Sequence, residues 1–422
     1  MRVFGLVVVA CSMLACASSD PAKGSAGSAT QPASAQTPPP AAPVATPTAP
    51  KPVAPPPPVA QEGHDFTAEG KALFVVGACG AGTLPEGVPA AVHAKHCKRV
   101  NEVQAKYKAK WVALAKPFFS EKVPADLPKK VVYPFAGGDL STALTVYPDA
   151  DEITTMSLEP AGDPRTLAAL TTTGKTKELT AALGTIQYEL YFIYLMTFSN
   201  TMNMIDAMRQ GSLPTQLVFG LSALHIHGYE LVSLRYFTLD DEGAIHYLDD
   251  AAVASAPPVD VRSNRKNQLR NRVFANAEVQ YRKPGGRTQV FRHIQVNLDN
   301  NHLKADPRVK KHLESKGKVA AMTKAASYLL SWDSFSTIRG YLMENAVWMV
   351  SDATGIPPQH GKPAGFTYET YGTFGESHME AGRAVAVAWR REWESQPKRV
   401  LNFRFGYPDK KWKDHLVIVK KA

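Results

Sequence analysis

Recognised catalytic patterns are scarce in this chain of 422 residues. There is no Gly-x-Ser-x-Gly elbow, so a serine nucleophile on a strained strand-to-helix turn has no seat. His-Glu-x-x-His is missing, which removes the helical zinc-peptidase site. Gly174-Lys175-Thr176 has the ending of a phosphate-binding loop. That pattern needs a glycine five positions before Gly174, where Ala169 stands, and no strand precedes it. Cysteine is rare, with four residues in all, and none forms the Cys-x-x-Cys-His of covalent haem. No apolar run reaches the roughly 18 residues that mark a membrane-spanning helix.

What the chain does have begins at its N-terminus. Arg2 is a minimal positive region, and VFGLVVVACSML (3–14) is an apolar stretch of signal-peptide length. It ends in Leu14-Ala15-Cys16, which resembles a bacterial lipobox and implies lipidation of Cys16 as the mature N-terminus. Val8-Val9-Ala10-Cys11 fits less well, because its apolar region is only about eight residues long. The plainer alternative is an ordinary cleaved signal with an incidental cysteine. Ala17, rather than Asp, follows Cys16. By resemblance to lipoproteins of two-membrane bacteria, that implies export and anchoring to the outer membrane, facing periplasm or cell surface. Each acyl methylene contributes about 0.8 kcal/mol, so more than one chain makes a lasting anchor.

The expected organisation is a signal (1–15), a tether (16–62), a helical segment (63–128) and an α/β domain (129–422). Residues 17–62 hold 13 of the 32 prolines and almost no large apolar side chains. Such a segment cannot offset its ordering entropy by burial. Its proline blocks favour polyproline II at about 3.1 Å per residue, a reach on the order of 100 Å.

Cys79 and Cys97 remain for the folded part. In an exported protein an even pair reads first as a disulfide, whose closure contributes roughly 3 kcal/mol. Metal binding with His93 and His96 is the sharper alternative, although the spacing matches no zinc template.

The formal charge is +10. Arg2 leaves with the signal, and Asp20, Lys23, Lys51 and Glu62 cancel, so the folded part carries about +9. The charge gathers in VRSNRKNQLRNR (261–272) and KKWKDHLVIVKKA (410–422). Both read most simply as a solvated loop and tail. Outside the cytoplasm, the partners such charge would suit are anionic lipid head groups, acidic glycans or another envelope protein. No aromatic residue interleaves the first cluster, which argues against nucleic acid.

The expected fold is α/β, with a mixed, largely Rossmann-like sheet, an antiparallel hairpin insertion at about 229–300 and an N-terminal helical part. In the helical part, Val103, Tyr107, Trp111 and Leu114 fall on one stripe. Val131–Phe135, a Gly137-Gly138 turn, a helix at Leu140–Val146 and a strand at Ile153–Leu158 alternate as a parallel core requires. A helix over 176–209 and another over 213–227 follow. Two hairpins, 229–248 and 277–298, come next. The final elements are strands at 320–330, 347–352, 400–407 and 415–422, with a helix at 335–346.

The run from Val131 to Glu159 is similar to the opening of class I methyltransferases. The resemblance implies that Gly137, Gly138 and Asp139 form a cofactor turn and that Glu159 binds ribose hydroxyls. Nucleotide cofactors are scarce outside the cytoplasm, so the scaffold is expected without the cofactor, leaving a divalent metal as the alternative.

Asp139, Glu159 and Asp352 are expected at the C-terminal ends of strands, where open α/β sheets bind ligands. Converging, they would make an acid/base pair or an oxygen-rich cation site. Singly, Asp139 reads as a helix N-cap and the other two as turn residues. His225 and His227 diverge on a helix but would share a face, and a metal, on a strand. The expected function is a membrane-anchored envelope module that binds or structures other components. The alternative is an envelope hydrolase or transferase using those carboxylates.

Overall fold

The computed structural model describes residues 62–172, 174–195, 213–259, 272–374, 383–406 and 414–422. Cys16, the signal and the tether up to residue 61 lie outside the described residues, as do 261–271 of the first basic cluster and 410–413 of the basic tail. Contacts divide the chain after Ala54, and Pro55–Ala422 is one compact unit.

That unit is mixed α/β around a ten-stranded sheet. The strands are β1 (Lys130–Tyr133), β2 (Glu152–Ser157), β3 (Glu230–Leu239), β4 (Ile245–Tyr247) and β5 (Asn276–Arg282), then β6 (Thr288–Gln295), β7 (Val319–Thr323), β8 (Ala346–Ser351), β9 (Phe366–Gly372) and β10 (His415–Lys421). Their order is β4-β3-β5-β6-β2-β1-β7-β8-β10-β9. The five central strands, β6, β2, β1, β7 and β8, are parallel. The pairs on either flank are antiparallel.

Both faces are covered, and the period-2 alternation of the strands shows it. Val131 and Tyr133 of β1 enter one apolar cluster, and Val132 enters the other. On β10, Leu416 and Ile418 alternate with Val417 and Val419 in the same way. The first face carries α1 (Thr67–Val76), α2 (Ala90–Tyr107), α3 (Ala113–Lys122), α4 (Leu140–Val146), α5 (Thr166–Thr171), α6 (Thr176–Leu195) and α7 (Thr215–Ile226). The second includes α8 (Arg308–Glu314), α9 (Ser336–Asn345) and α10 (Arg383–Glu394).

The helical part at 63–128 contains a change of register. A π turn, Lys108–Val112, joins α2 to α3. The extra residue moves the buried stripe from Tyr107 and Trp111 to Ala115 and Phe119, and leaves Leu114 40% exposed. The expected stripe through Leu114 is corrected for that reason.

Three strand expectations also change. The strand at 320–330 stops at Thr323, and Ala325–Ser331 is a 3₁₀ turn. Residues 400–406 are irregular, although Phe403 and Phe405 are buried. β9 takes the place expected for that segment, pairing with β10 over its whole length. The tail is not a solvated end. β10 lies between two strands, and Lys420 pairs with Glu369 at 3.2 Å. The hairpins at 229–298 join the main sheet, and β6 pairs with β2 in parallel from Glu152 to Ser157.

At the N-terminal edge, a buried ion network fixes β2 against β6 and β5. Glu152 is paired by Lys316 and Arg292, and Arg292 also reaches Glu278 at 2.7 Å. Burial would raise the Glu152 carboxyl, but the two cations outweigh it and hold it at about 2.

Candidate functional site

The chain leaves β1 through Pro134 and turns sharply. Phe135 and Gly137 both have positive φ, at 56° and 51°. For Phe135 that is a strained conformation, held by packing against Phe335 at 5.7 Å between ring centroids. Asp139 then caps α4. It accepts from Thr142 Oγ1 at 2.6 Å and from Thr142 N at 3.4 Å. Tyr133 OH donates to it at 3.1 Å, and Lys324 Nζ, just past β7, donates at 2.8 Å. The N-cap role is therefore present, with an ion pair added to it.

Asp352 follows β8 and is fully buried. Its carboxylate accepts from Thr354 N at 2.8 Å and from Thr354 Oγ1, an Asx turn. Burial, then Asp139, then Asp352 push the Tyr133 hydroxyl well above the usual phenol range.

Glu159, two residues past the end of β2, differs from both. It is 1% exposed, and neither carboxylate oxygen has a hydrogen-bond partner. Only its backbone is engaged: His293 Nε2 donates to Glu159 O at 2.7 Å. The other ring nitrogen of His293 accepts from Thr155 Oγ1 at 3.2 Å and from Gln216 Nε2 at 3.3 Å. Burial holds this histidine neutral, at about 4. Gln216 Nε2 also donates to Gly137 O at 2.5 Å, while its own Oε1 has no partner. Gln216 and His293 were not legible as site residues, because they come from α7 and β6 and meet only in the folded sheet.

On the C-terminal side of β2 and β6, against the second face of the sheet and lined by neither Glu159, Gln216 nor His293, lies a groove of about 640 Å³. Leu158, Ile294 and Val296 give it an apolar floor, and Gln295, Asn297 and His302 a polar rim. Leu158 is 46% exposed there, while Glu159, the next residue, is turned inward.

His225 and His227 do not come together on one face. The segment is helical through Ile226, so the strand that a shared metal required is not formed. His225 packs edge-on to Phe74, whereas His227 donates to Ser141 O at 3.1 Å. Among the described residues, the one cluster with metal-ligand spacing is Cys79, His96 and Cys97. Its two sulfurs are joined as a disulfide, with Cα atoms 5.4 Å apart.

Tested against the cofactor that the methyltransferase resemblance implies, the residues do not fit as a set. The orphaned Glu159 carboxylate suits a pair of ribose hydroxyls. The glycine cradle does not suit a ligand: a Cβ on Gly138 would stand 2.4 Å from Phe219 and 3.1 Å from Ile193. The space that a glycine turn leaves for a cofactor is filled by the chain's own side chains, and Asp139 is spent on four donors. Comparisons with protein families, curated proteins and solved structures find no match to this chain.

Proposed function

We propose that this chain is a lipid-anchored protein of the bacterial cell envelope whose folded domain binds a small ligand at the C-terminal edge of a Rossmann-like sheet. Several features support the scaffold. Taken in the sequence order in which they occur, the five parallel strands lie 3-2-1-4-5, with helices on both faces. In such sheets ligands sit beyond the carboxyl ends of the strands, where Asp139, Glu159 and the groove are found. The envelope location rests on the lipobox-like Leu14-Ala15-Cys16 and the proline-rich tether, and a disulfide suits an oxidising compartment.

The observation that carries the binding role is the Glu159 carboxylate. A buried carboxylate without a partner costs more than the about 1–3 kcal/mol of a neutral unsatisfied group. A ligand presenting hydroxyl or amine donors removes that cost. The groove at Leu158 is within the usual size range of ligand pockets, but Glu159 does not line it. A sugar is the simplest such ligand in an envelope. The enzymatic alternative has less support, because Asp139 is held by Lys324 and Asp352 by Thr354, leaving neither poised as a base.

Native mass spectrometry of the protein recovered from an oxidising compartment tests this reading. The wild type should carry extra mass, or gain it from a panel of mono- and oligosaccharides, and Glu159→Gln should lose it. A bare wild-type chain that takes up none of the panel overturns the proposal.

A further inference from the structure

The basic character of the folded part is concentrated where no charge cluster stood out in the sequence. Between Ala90 and Lys130 lie ten lysines and arginines against Glu102, Glu121 and Asp126, a net of +7. All ten except the half-buried Lys122 are exposed. The helix geometry explains the grouping. In α2, His96, Val100, Gln104 and Tyr107 face the core, so Lys95, Lys98 and Lys106 fall on the opposite side around Glu102, with Arg99 on the flank toward α6. Lys110 follows one turn after Lys106, through the π turn, and Leu114 one turn later on α3.

Three further observations make this face more than a solvated surface. Lys95, Lys98, Lys106 and Lys110 form no ion pair among the described residues. Leu114, turned out by the π turn, stands exposed one turn after Lys110. Next to α2, Arg99 Nη1 donates to Gln187 of α6 at 3.4 Å, and Tyr188 and Tyr191 beside it are 58% and 43% exposed. Lysines interleaved with one exposed leucine and flanked by tyrosines suit a lipid interface better than a polysaccharide. The apolar side chain can enter the acyl boundary, and tyrosines favour the head-group level.

We propose that the face formed by α2, the π turn and the start of α3 docks on an anionic phospholipid surface, with Lys95, Lys98, Arg99, Lys106 and Lys110 against head-group phosphates and Leu114 in the interface. This rests on the anchored reading only for the presence of a membrane. Once tethered, the domain is held at a high effective concentration, so weak docking is enough. Each lysine at such a surface strengthens binding by about fivefold, and salt weakens it within a Debye length.

The test uses Pro55–Ala422, which contains the whole sheet and both apolar clusters and so folds without the tether. It carries no Cys16 and no acyl chain. Sedimentation should show binding to phosphatidylglycerol-containing vesicles at low salt, little binding to pure phosphatidylcholine, and release in high salt. Reversing Lys95, Lys98, Lys106 and Lys110 to Glu should weaken binding by about a hundredfold or more, and Leu114→Ala by a few-fold. Reversing the exposed Lys304 and Lys318, outside this face, should change little. Circular dichroism confirms that each variant is folded. Binding that ignores lipid charge, equal losses from both sets of reversals, or capture by an acidic polysaccharide without vesicle binding each overturns the proposal. The anchored reading is tested separately, by the mass of the mature N-terminus.

Discussion

Lys324 Nζ lies 2.8 Å from the Asp139 carboxylate, tying the end of β7 to the N-cap of α4. The two residues are 185 apart in the chain, and both leave neighbouring parallel strands at their carboxyl ends. The pair spans the place where the strand order reverses, the usual ligand crevice of an open α/β sheet. A cation there satisfies Asp139 in the absence of any ligand.

Removing the cation should therefore be costly. Lys324→Ala leaves Asp139 with only Tyr133 and Thr142 as donors. We expect a loss of about 2 kcal/mol in urea unfolding, below the about 3–5 of a fully buried pair because Asp139 keeps some exposure. Asp139→Asn in the same chain should recover part of it. A single-mutant loss below a few tenths would show that the pair is incidental.

Acid should destabilise the fold from about pH 6.5 downward. Burial holds His96, His227, His293 and His312 neutral, each at about 4 against 6.5 unfolded. Between those values the unfolded chain binds more protons, so stability falls as pH drops from 6.5 toward 4. Glu152, at about 2, adds a further loss between 4.5 and 2. Unfolding free energies at half-unit intervals from pH 7 to 4 should decline throughout. A flat profile would mean that the histidines are not held neutral.

Glu189 works in the opposite direction. It is 1% exposed on α6, its Oε2 has no partner, and burial raises its carboxyl to about 7. Between pH 4.5 and 7 the folded state binds the extra proton, so this residue lowers stability as pH rises. Glu189→Gln should stabilise the protein at pH 8 by about 1 kcal/mol and have little effect at pH 4.5. Destabilisation at pH 8 would reveal a partner for the carboxylate.

The filled glycine cradle can be tested by a double-mutant cycle. Gly138→Ala drives a methyl into Phe219 and should cost about 1–3 kcal/mol. With Phe219→Leu already in place, the same change should cost at least about 1 kcal/mol less, as coupled neighbours do. Additive losses would mean that Phe219 does not occupy the space over the turn.

Much of the local structure was legible. The β-branched run before Gly137, the Asp139 cap, Pro214 ahead of α7 and the two hairpin turns each act through local backbone chemistry, and each element formed where it was expected. Misreadings came where longer-range packing intervened. The π turn at Lys108–Val112 rotated Leu114 into solvent, and Phe403 and Phe405 are apolar because they cap the core from an irregular segment, not because they form a strand.

By itself the sequence determined the alternation of strand and helix, the even cysteine pair and the residue types at each strand end. These follow from periodicity, turn chemistry and composition, which act over a few residues. Only the tertiary structure decided what those residues meet. Lys324 reached Asp139, Phe219 filled the space above Gly138, Glu159 was left buried without a partner, and scattered lysines of α2 and the π turn gathered on one face. Each outcome depends on which strand lies beside which, and on how many residues a helical turn contains. Neither quantity is carried by any short stretch of chain.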